Sequence, residues 1–239
     1  IMVVALDDLN NTSAYLWDGD SWYSLGEMSS NTSTYEYPVV DVVFESSSGN
    51  AIVVWGELNN SGLNDLYYKI YNTSTSNWQT GKSIPNSDLN ATPYRIVSAS
   101  DYRPTSRTAC VAVSDDKNHI HVYCWNGTSW NVSKYIASDS NGYIDIEFHS
   151  VSGDAMLVWS TNNKLCYSLF NKTNWSNANM TNHYIYSYIS LAADPASDAM
   201  YVVGKREFSS TVYYYGWNPS TGIWEGGSRS ESLNKRYGI

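Results

Sequence analysis

Charge is scarce in this sequence. Lys, Arg, Asp and Glu together make up 15% of 239 residues, and acids outnumber bases 23 to 14. The formal net charge of −9 repels phosphate, and no cluster of Lys or Arg offers a local exception, which argues against a nucleic-acid partner. Long hydrophobic runs are missing as well. The longest, such as Ala51-Ile52-Val53-Val54-Trp55, are strand-sized and far short of the roughly 20 apolar residues that a membrane-spanning helix needs. Cysteine occurs only 3 times and never as CxxC, which argues against a zinc site built on thiolates. No stretch follows the 3.6-residue period of an amphipathic helix. The chain opens at Ile1 without a signal-peptide pattern, so it reads as a processed mature protein or a window from a longer one.

Aromatic residues are plentiful instead, with 21 Tyr and 10 Trp against 4 Phe. Their rings favour pleated, half-buried strands, while the abundant Ser, Thr and Asn favour turns. Three elements recur in order. A small or apolar opener begins an apolar strand at Ile1, Ala51, Ala109, Ala155 and Ala199. About twenty residues later an aromatic pair brackets a polar turn: Trp17 and Trp22, Tyr71 and Trp78, Trp125 and Trp130, Phe170 and Trp175, Trp217 and Trp224. Asp18-Gly19 and Asn126-Gly127 in these turns are strong hairpin signals, because glycine tolerates positive φ. A third strand runs from Tyr37, Tyr94, Tyr143 and Tyr188 up to the next opener.

Four antiparallel strands per unit, repeated at 44 to 58 residues, predict an all-β fold: a β-propeller of about five four-stranded blades, the first starting at its second strand. The single domain 1–239 divides into blades at about 1–36, 37–93, 94–142, 143–187 and 188–227, with a tail at 228–239. Arg236-Tyr237-Gly238-Ile239 reads like the start of a further first strand. The tail either completes the first blade or a neighbour's blade by strand addition, or the chain is part of a longer propeller.

The hairpin Trp17-Asp18-Gly19-Asp20-Ser21-Trp22 resembles the tryptophan-rich repeats of secreted bacterial propeller lectins and, loosely, the sialidase Asp-box. Only the Gly and the Trp match the Asp-box, since Trp17 and Trp125 stand where its Asp belongs. The resemblance covers about six residues per blade and implies fold rather than function.

Asn-X-Ser/Thr occurs at Asn10, Asn11, Asn31, Asn59, Asn72, Asn90, Asn126, Asn131, Asn171, Asn174 and Asn179. With 24 Asn, and 51 Ser plus Thr, among 239 residues, chance gives about five such sites. The excess predicts N-glycosylation and an extracellular or cell-surface location. Cys110 and Cys124 fall on facing positions of one hairpin and are candidates for a disulfide, while Cys166 has no evident partner. His119 and His121 share a strand face, but sequence offers no third ligand, so no metal and no cofactor are expected. Acidic turns recur at Asp7-Asp8 and Asp115-Asp116 and read as solvated charge. The arginines and glutamates show no repeated placement of the kind a sialidase or glycosidase site would need, so the chain is not expected to be an enzyme. The leading expectation is a self-associating structural glycoprotein of a sheath, surface layer or filament. The alternative is a carbohydrate-binding propeller lectin or adhesin, with glycans as partners.

Overall fold

The computed structural model describes residues 1–33, 39–58, 64–85, 89, 91–140, 142–205 and 209–230. Among these residues every regular element is a strand. The first sheet has three strands, β1 (Met2–Leu6), β2 (Thr12–Trp17) and β3 (Trp22–Ser29). The second holds β4 (Val40–Phe44), β5 (Ala51–Leu58), β6 (Asn64–Asn72) and β7 (Asn77–Trp78), and β8 (Lys82–Ser83) also pairs with β6. The third holds β9 (Pro93–Ser100), β10 (Ala109–Asp115), β11 (Ile120–Trp125) and β12 (Trp130–Ala137). The fourth holds β13 (Ile144–Phe148), β14 (Ala155–Thr161), β15 (Lys164–Phe170) and β16 (Asn179–Tyr184). The fifth holds β17 (Ser187–Ala193), β18 (Met200–Lys205), β19 (Thr211–Asn218) and β20 (Ile223–Ser230). Apart from β8, each sheet is an antiparallel meander in chain order, and three of the five are four-stranded, so the all-β repeat of antiparallel sheets expected from the sequence is what the chain forms.

Neighbouring sheets meet at their first strands: β1 lies against β4, β4 against β9, β9 against β13, and β13 against β17. Between each successive pair of sheets lies one hydrophobic layer, and together the four layers are the core. An inner sheet is therefore covered on both faces. That is why β10 (ACVAVSD) and β14 (AMLVWST) are buried at every position and read as continuous runs rather than as alternation. Each fully buried aliphatic side chain in these layers contributes roughly 1.5–3 kcal/mol.

Polar ties repeat with the sheets. At the first strands, Asp41 Oδ2 accepts the Ser98 backbone N–H (2.7 Å) and hydroxyl (2.8 Å). Asp145 Oδ2 accepts the Leu191 N–H (2.7 Å) in the same way. These carboxylates satisfy N–H groups on strand edges that have no further strand beside them. After the first strands, Ser46 Oγ donates to Asp101 O (2.7 Å), Tyr102 to Phe148 O (3.1 Å), and Ser150 to Asp194 O, linking sheets two to five. The turn between β2 and β3 in the first sheet, and between third and fourth strands in the others, is held by a side-chain oxygen that accepts downstream backbone N–H groups. Asp18, Asn72, Asn126, Asn171 and Asn218 fill that place.

Several details depart from the sequence reading. In the second sheet the outer strand is split into two short pieces, with Trp78 closing β7 rather than opening a strand. Trp175 makes only an isolated bridge to Phe170, ahead of β16. In the fifth sheet Met200, not Ala199, pairs with the aromatic residue Trp217, so that unit's opener falls one residue later. Residues 228–230 belong to β20, whereas 231–239, with the strand-like Arg236–Ile239, lie outside the described residues, as does Tyr37.

Candidate functional site

In sheets two to five the residue directly after the first strand is polar: Glu45, Asp101, His149 and Asp194. The first three are almost fully buried and face the gap toward the following sheet. What each meets there decides the chemistry of three equivalent clefts.

Between the second and third sheets, Glu45 Oε1 accepts the Trp125 indole N–H at 2.5 Å. Its Oε2 accepts from Arg107 Nη2 (3.2 Å) and Nε (3.3 Å), and from the Ser48 hydroxyl. Arg107 lies across Gly127, where a Cβ would come within 2.7 Å of it, so the glycine at φ +95° serves both the turn and the arginine. The cleft, about 240 Å³, is also bordered by Asn50, Gln79 and Thr128. Glu45 is 1% exposed in its side chain and Arg107 43%. A guanidinium has five N–H donors, and Glu45 engages only two of its nitrogens, which leaves donors at the solvent side.

Between the third and fourth sheets the equivalent space is closed by the chain itself. Arg103 pairs with Asp101 through Nε (2.9 Å) and Nη2 (2.5 Å), and its Nη1 donates to Ser152 O (2.6 Å). Burial pushes the Asp101 carboxyl up, but the Arg103 hydrogen bonds prevail and hold it below the usual range. Between the fourth and fifth sheets, His149 Nδ1 lies 2.7 Å from Asp198 O, and Asp198 Oδ1 accepts the N–H groups of Val151 (2.9 Å) and Ser152 (2.8 Å). Burial again acts upward on Asp198, and these backbone donors outweigh it. This cleft, about 360 Å³, is bordered by Phe170, Asn171 and Trp217. By strand register Asp198 occupies the place of Arg107. One repeat position thus carries opposite charges in two clefts.

The sequence reading did not single out Glu45, Arg107 or Asp198. They lie far apart in the chain, and only the recurrence of a polar residue after each first strand hinted at them. Of the sequons, Asn31, Asn126, Asn131, Asn171, Asn174 and Asn179 are exposed, Asn10, Asn11 and Asn72 are half-buried, and Asn59 and Asn90 lie outside the described residues. Asn126 and Asn171 also accept from their own Thr128 and Thr173 hydroxyls (2.9 and 2.8 Å), so the turn accounts for part of the sequon excess. Cys110 and Cys124 are opposite each other in the β10–β11 register and form a disulfide, whereas Cys166 is buried and its thiol is pushed up to about 11 by burial. His119 and His121 converge with Asp115, a third donor that the sequence reading overlooked four residues upstream of His119.

No protein-family model matches the chain, and no curated protein matches its sequence. Solved structures do resemble it. A fungal lectin from Aleuria aurantia, described as a six-bladed β-propeller with a fucose recognition mode, matches with a TM-score of 0.61 and 14% identity. The match covers 98% of this chain and 76% of that one. AofleA from Arthrobotrys oligospora gives a TM-score of 0.65 at 12% identity, covering 98% and 69%. The SapL1 lectin, solved with alpha methyl fucoside, gives 0.59 at 15%, covering 97% and 76%. The fold is that of a β-propeller. At such identities the likeness establishes architecture, and the question of ligand returns to this chain's own clefts.

Proposed function

We propose that the chain is a carbohydrate-binding β-propeller, a non-catalytic lectin of the cell exterior, that holds glycans in the clefts between sheets. This reverses the order of the two readings drawn from sequence. The observation that carries it is the cleft at Glu45, Arg107 and Trp125, where a buried carboxylate fixes a half-exposed guanidinium beside amide and hydroxyl groups. Such a set offers donors and acceptors in fixed directions, which suits a polyhydroxylated ring better than an apolar ligand. The propeller neighbours include lectins solved with fucosides, which makes fucosylated glycans the first ligands to try.

The test is a glycan array followed by calorimetry with α-methyl fucoside. Arg107→Ala should weaken binding by about 10- to 100-fold, the worth of a charged hydrogen bond, in a variant that still unfolds cooperatively though at a lower temperature, because the buried Glu45 loses its charged partner. An array without a hit, or binding indifferent to Arg107→Ala, would overturn the reading.

A second reading, the self-associating surface glycoprotein, keeps one observation of its own. Sheets one and five each present an apolar face that no described residue covers, Val3 and Tyr15 on one, Tyr201, Val203 and Tyr214 on the other. Faces of this kind at the two ends of one chain suit head-to-tail contact with a second copy. Sedimentation that stays monomeric at high concentration would count against it, and glycopeptide mass spectrometry of native material tests the sequons.

A further inference from the structure

The turn joining β10 to β11 carries more chemistry than its backbone requires. Asp115 Oδ1 accepts the N–H groups of Lys117 (2.9 Å) and His119 (2.8 Å). The Asp115 N–H donates to His119 O (3.1 Å), the Asn118 N–H to Asp115 O (3.0 Å), and the Ser140 N–H to Asn118 O (3.0 Å). Asn118 sits at φ 66°. The turn between β1 and β2 repeats each feature. Asp7 Oδ1 accepts from Leu9 (2.9 Å) and Asn11 (2.8 Å), Asn10 sits at φ 68°, and the Thr32 N–H donates to Asn10 O (3.0 Å). In that first turn the group facing the second carboxylate oxygen is an amide, Asn11 Nδ2 at 2.9 Å. In the third sheet it is an imidazole, His119 Nδ1 at 3.1 Å, and a second imidazole, His121 Nε2, stands 3.6 Å away where the first sheet has Ser13. The fold builds the same turn without histidine, so folding alone does not account for the pair.

We propose that Asp115, His119 and His121 form a binding site for a divalent transition-metal ion of the zinc type. Their three ligand atoms lie within 4.8 Å of one another. Around a tetrahedral ion with bonds near 2.0–2.1 Å, ligand atoms stand about 3.3 Å apart, close to the two separations from the Asp115 oxygen. Two nitrogens and one carboxylate oxygen suit Zn²⁺, Co²⁺, Ni²⁺ or Cu²⁺, and not Ca²⁺ or Mg²⁺, which take oxygen ligands. His121 Nε2 is buried and has no hydrogen-bond partner among the described residues, and in the tautomer that leaves it unprotonated its lone pair is one that a metal would satisfy. Asp115 is pre-oriented by the two backbone donors on its other oxygen, the kind of outer-shell support metal ligands use. Tyr135 packs edge-on against both imidazoles at 5.5 and 5.4 Å and steadies them. Asp115 has no exposed side-chain surface, while His119 and His121 are 31% and 18% exposed. An ion would therefore be reached from the imidazole side and would keep an open position there. The site lies at the opposite end of β10 and β11 from Arg107 and Trp125, so it is independent of the glycan reading.

The experiment is calorimetric titration of the chelator-stripped full chain with ZnCl₂, with Co²⁺ absorption as a second readout. Wild type should take up one Zn²⁺ per chain, show the visible bands of a low-coordinate Co²⁺, and unfold at higher temperature with Zn²⁺ present. The variant His119→Asn with His121→Ser installs the first turn's own Asn11 and Ser13 chemistry, and should fold normally yet bind roughly 100-fold more weakly or worse. His121→Ser alone is the fallback if the double variant is unstable. Absence of saturable uptake by wild type, or equal uptake by a folded variant, overturns the proposal.

Discussion

The fourth and fifth sheets contain the same pair of residues in two settings. Val158 of β14 pairs with Tyr167, and Val203 of β18 pairs with Tyr214, at equivalent register positions. Val158 is fully buried and Val203 is 44% exposed. The strand neighbours diverge likewise, with Met156 buried and Tyr201 exposed, so β14 is buried throughout while β18 alternates. The difference is the adjoining sheet. No described residue covers the outer face of sheet five, and a hollow of about 700 Å³ lies where a neighbouring sheet would pack. Composition reports what a strand is built to pack against, and not whether that partner is present.

The comparison breaks first at the largest residues. Trp159→Ala empties part of the layer between sheets three and four and should cost about 3–5 kcal/mol in denaturant unfolding. Reducing the Cys110–Cys124 bridge, which closes a 14-residue separation inside the same layer, should cost about 3 kcal/mol. The sharper test is the matched pair. Val158→Ala should cost about 2 kcal/mol and Val203→Ala less than about 0.5 kcal/mol. Equal costs would mean that the outer face of sheet five is covered in solution. A Val203→Ala cost that grows with protein concentration would name a second copy as the cover.

Much of this was legible in sequence for identifiable reasons. Continuous apolar runs such as Ala155–Trp159 marked doubly covered strands, and the paired aromatics marked the hairpins where an Asp or Asn side chain folds the turn. The facing cysteines followed from counting residues across one hairpin. Longer-range features were not legible. Glu45 meets Trp125 across 80 residues because two sheets stack, which no local pattern reports. The convergence of Asp115 with His119 and His121 is hidden for a smaller reason: in sequence Asp115-Asp116 looks like a pair of solvated turn charges, although the Asp115 side chain is buried and turned toward the histidines. The split β7 and β8 and the single bridge at Trp175 show that a turn motif fixes the hairpin but not the length of the strand after it.

The smallest expected effect sharpens the contrast at the first strands. Asp145 reaches from sheet four to the N–H of Leu191 in sheet five, whereas sheet five carries Ser190 in that place and meets no further sheet among the described residues. Desolvation raises the Asp145 carboxyl despite its hydrogen bonds to Leu191 and Ile146, and it raises Asp41 similarly. A carboxyl raised in the folded state binds its proton more tightly there than in the unfolded chain. Its contribution to stability is therefore full below the ordinary carboxylate range and is lost as pH rises through the raised value. Asp145→Asn keeps an oxygen for the Leu191 N–H and removes the titration. Relative to wild type, this variant should become progressively more stable as pH rises through that interval, while Ser190→Ala should show no such trend. Parallel pH profiles for Asp145→Asn and wild type would mean that the carboxylate is better solvated than its position between the sheets implies.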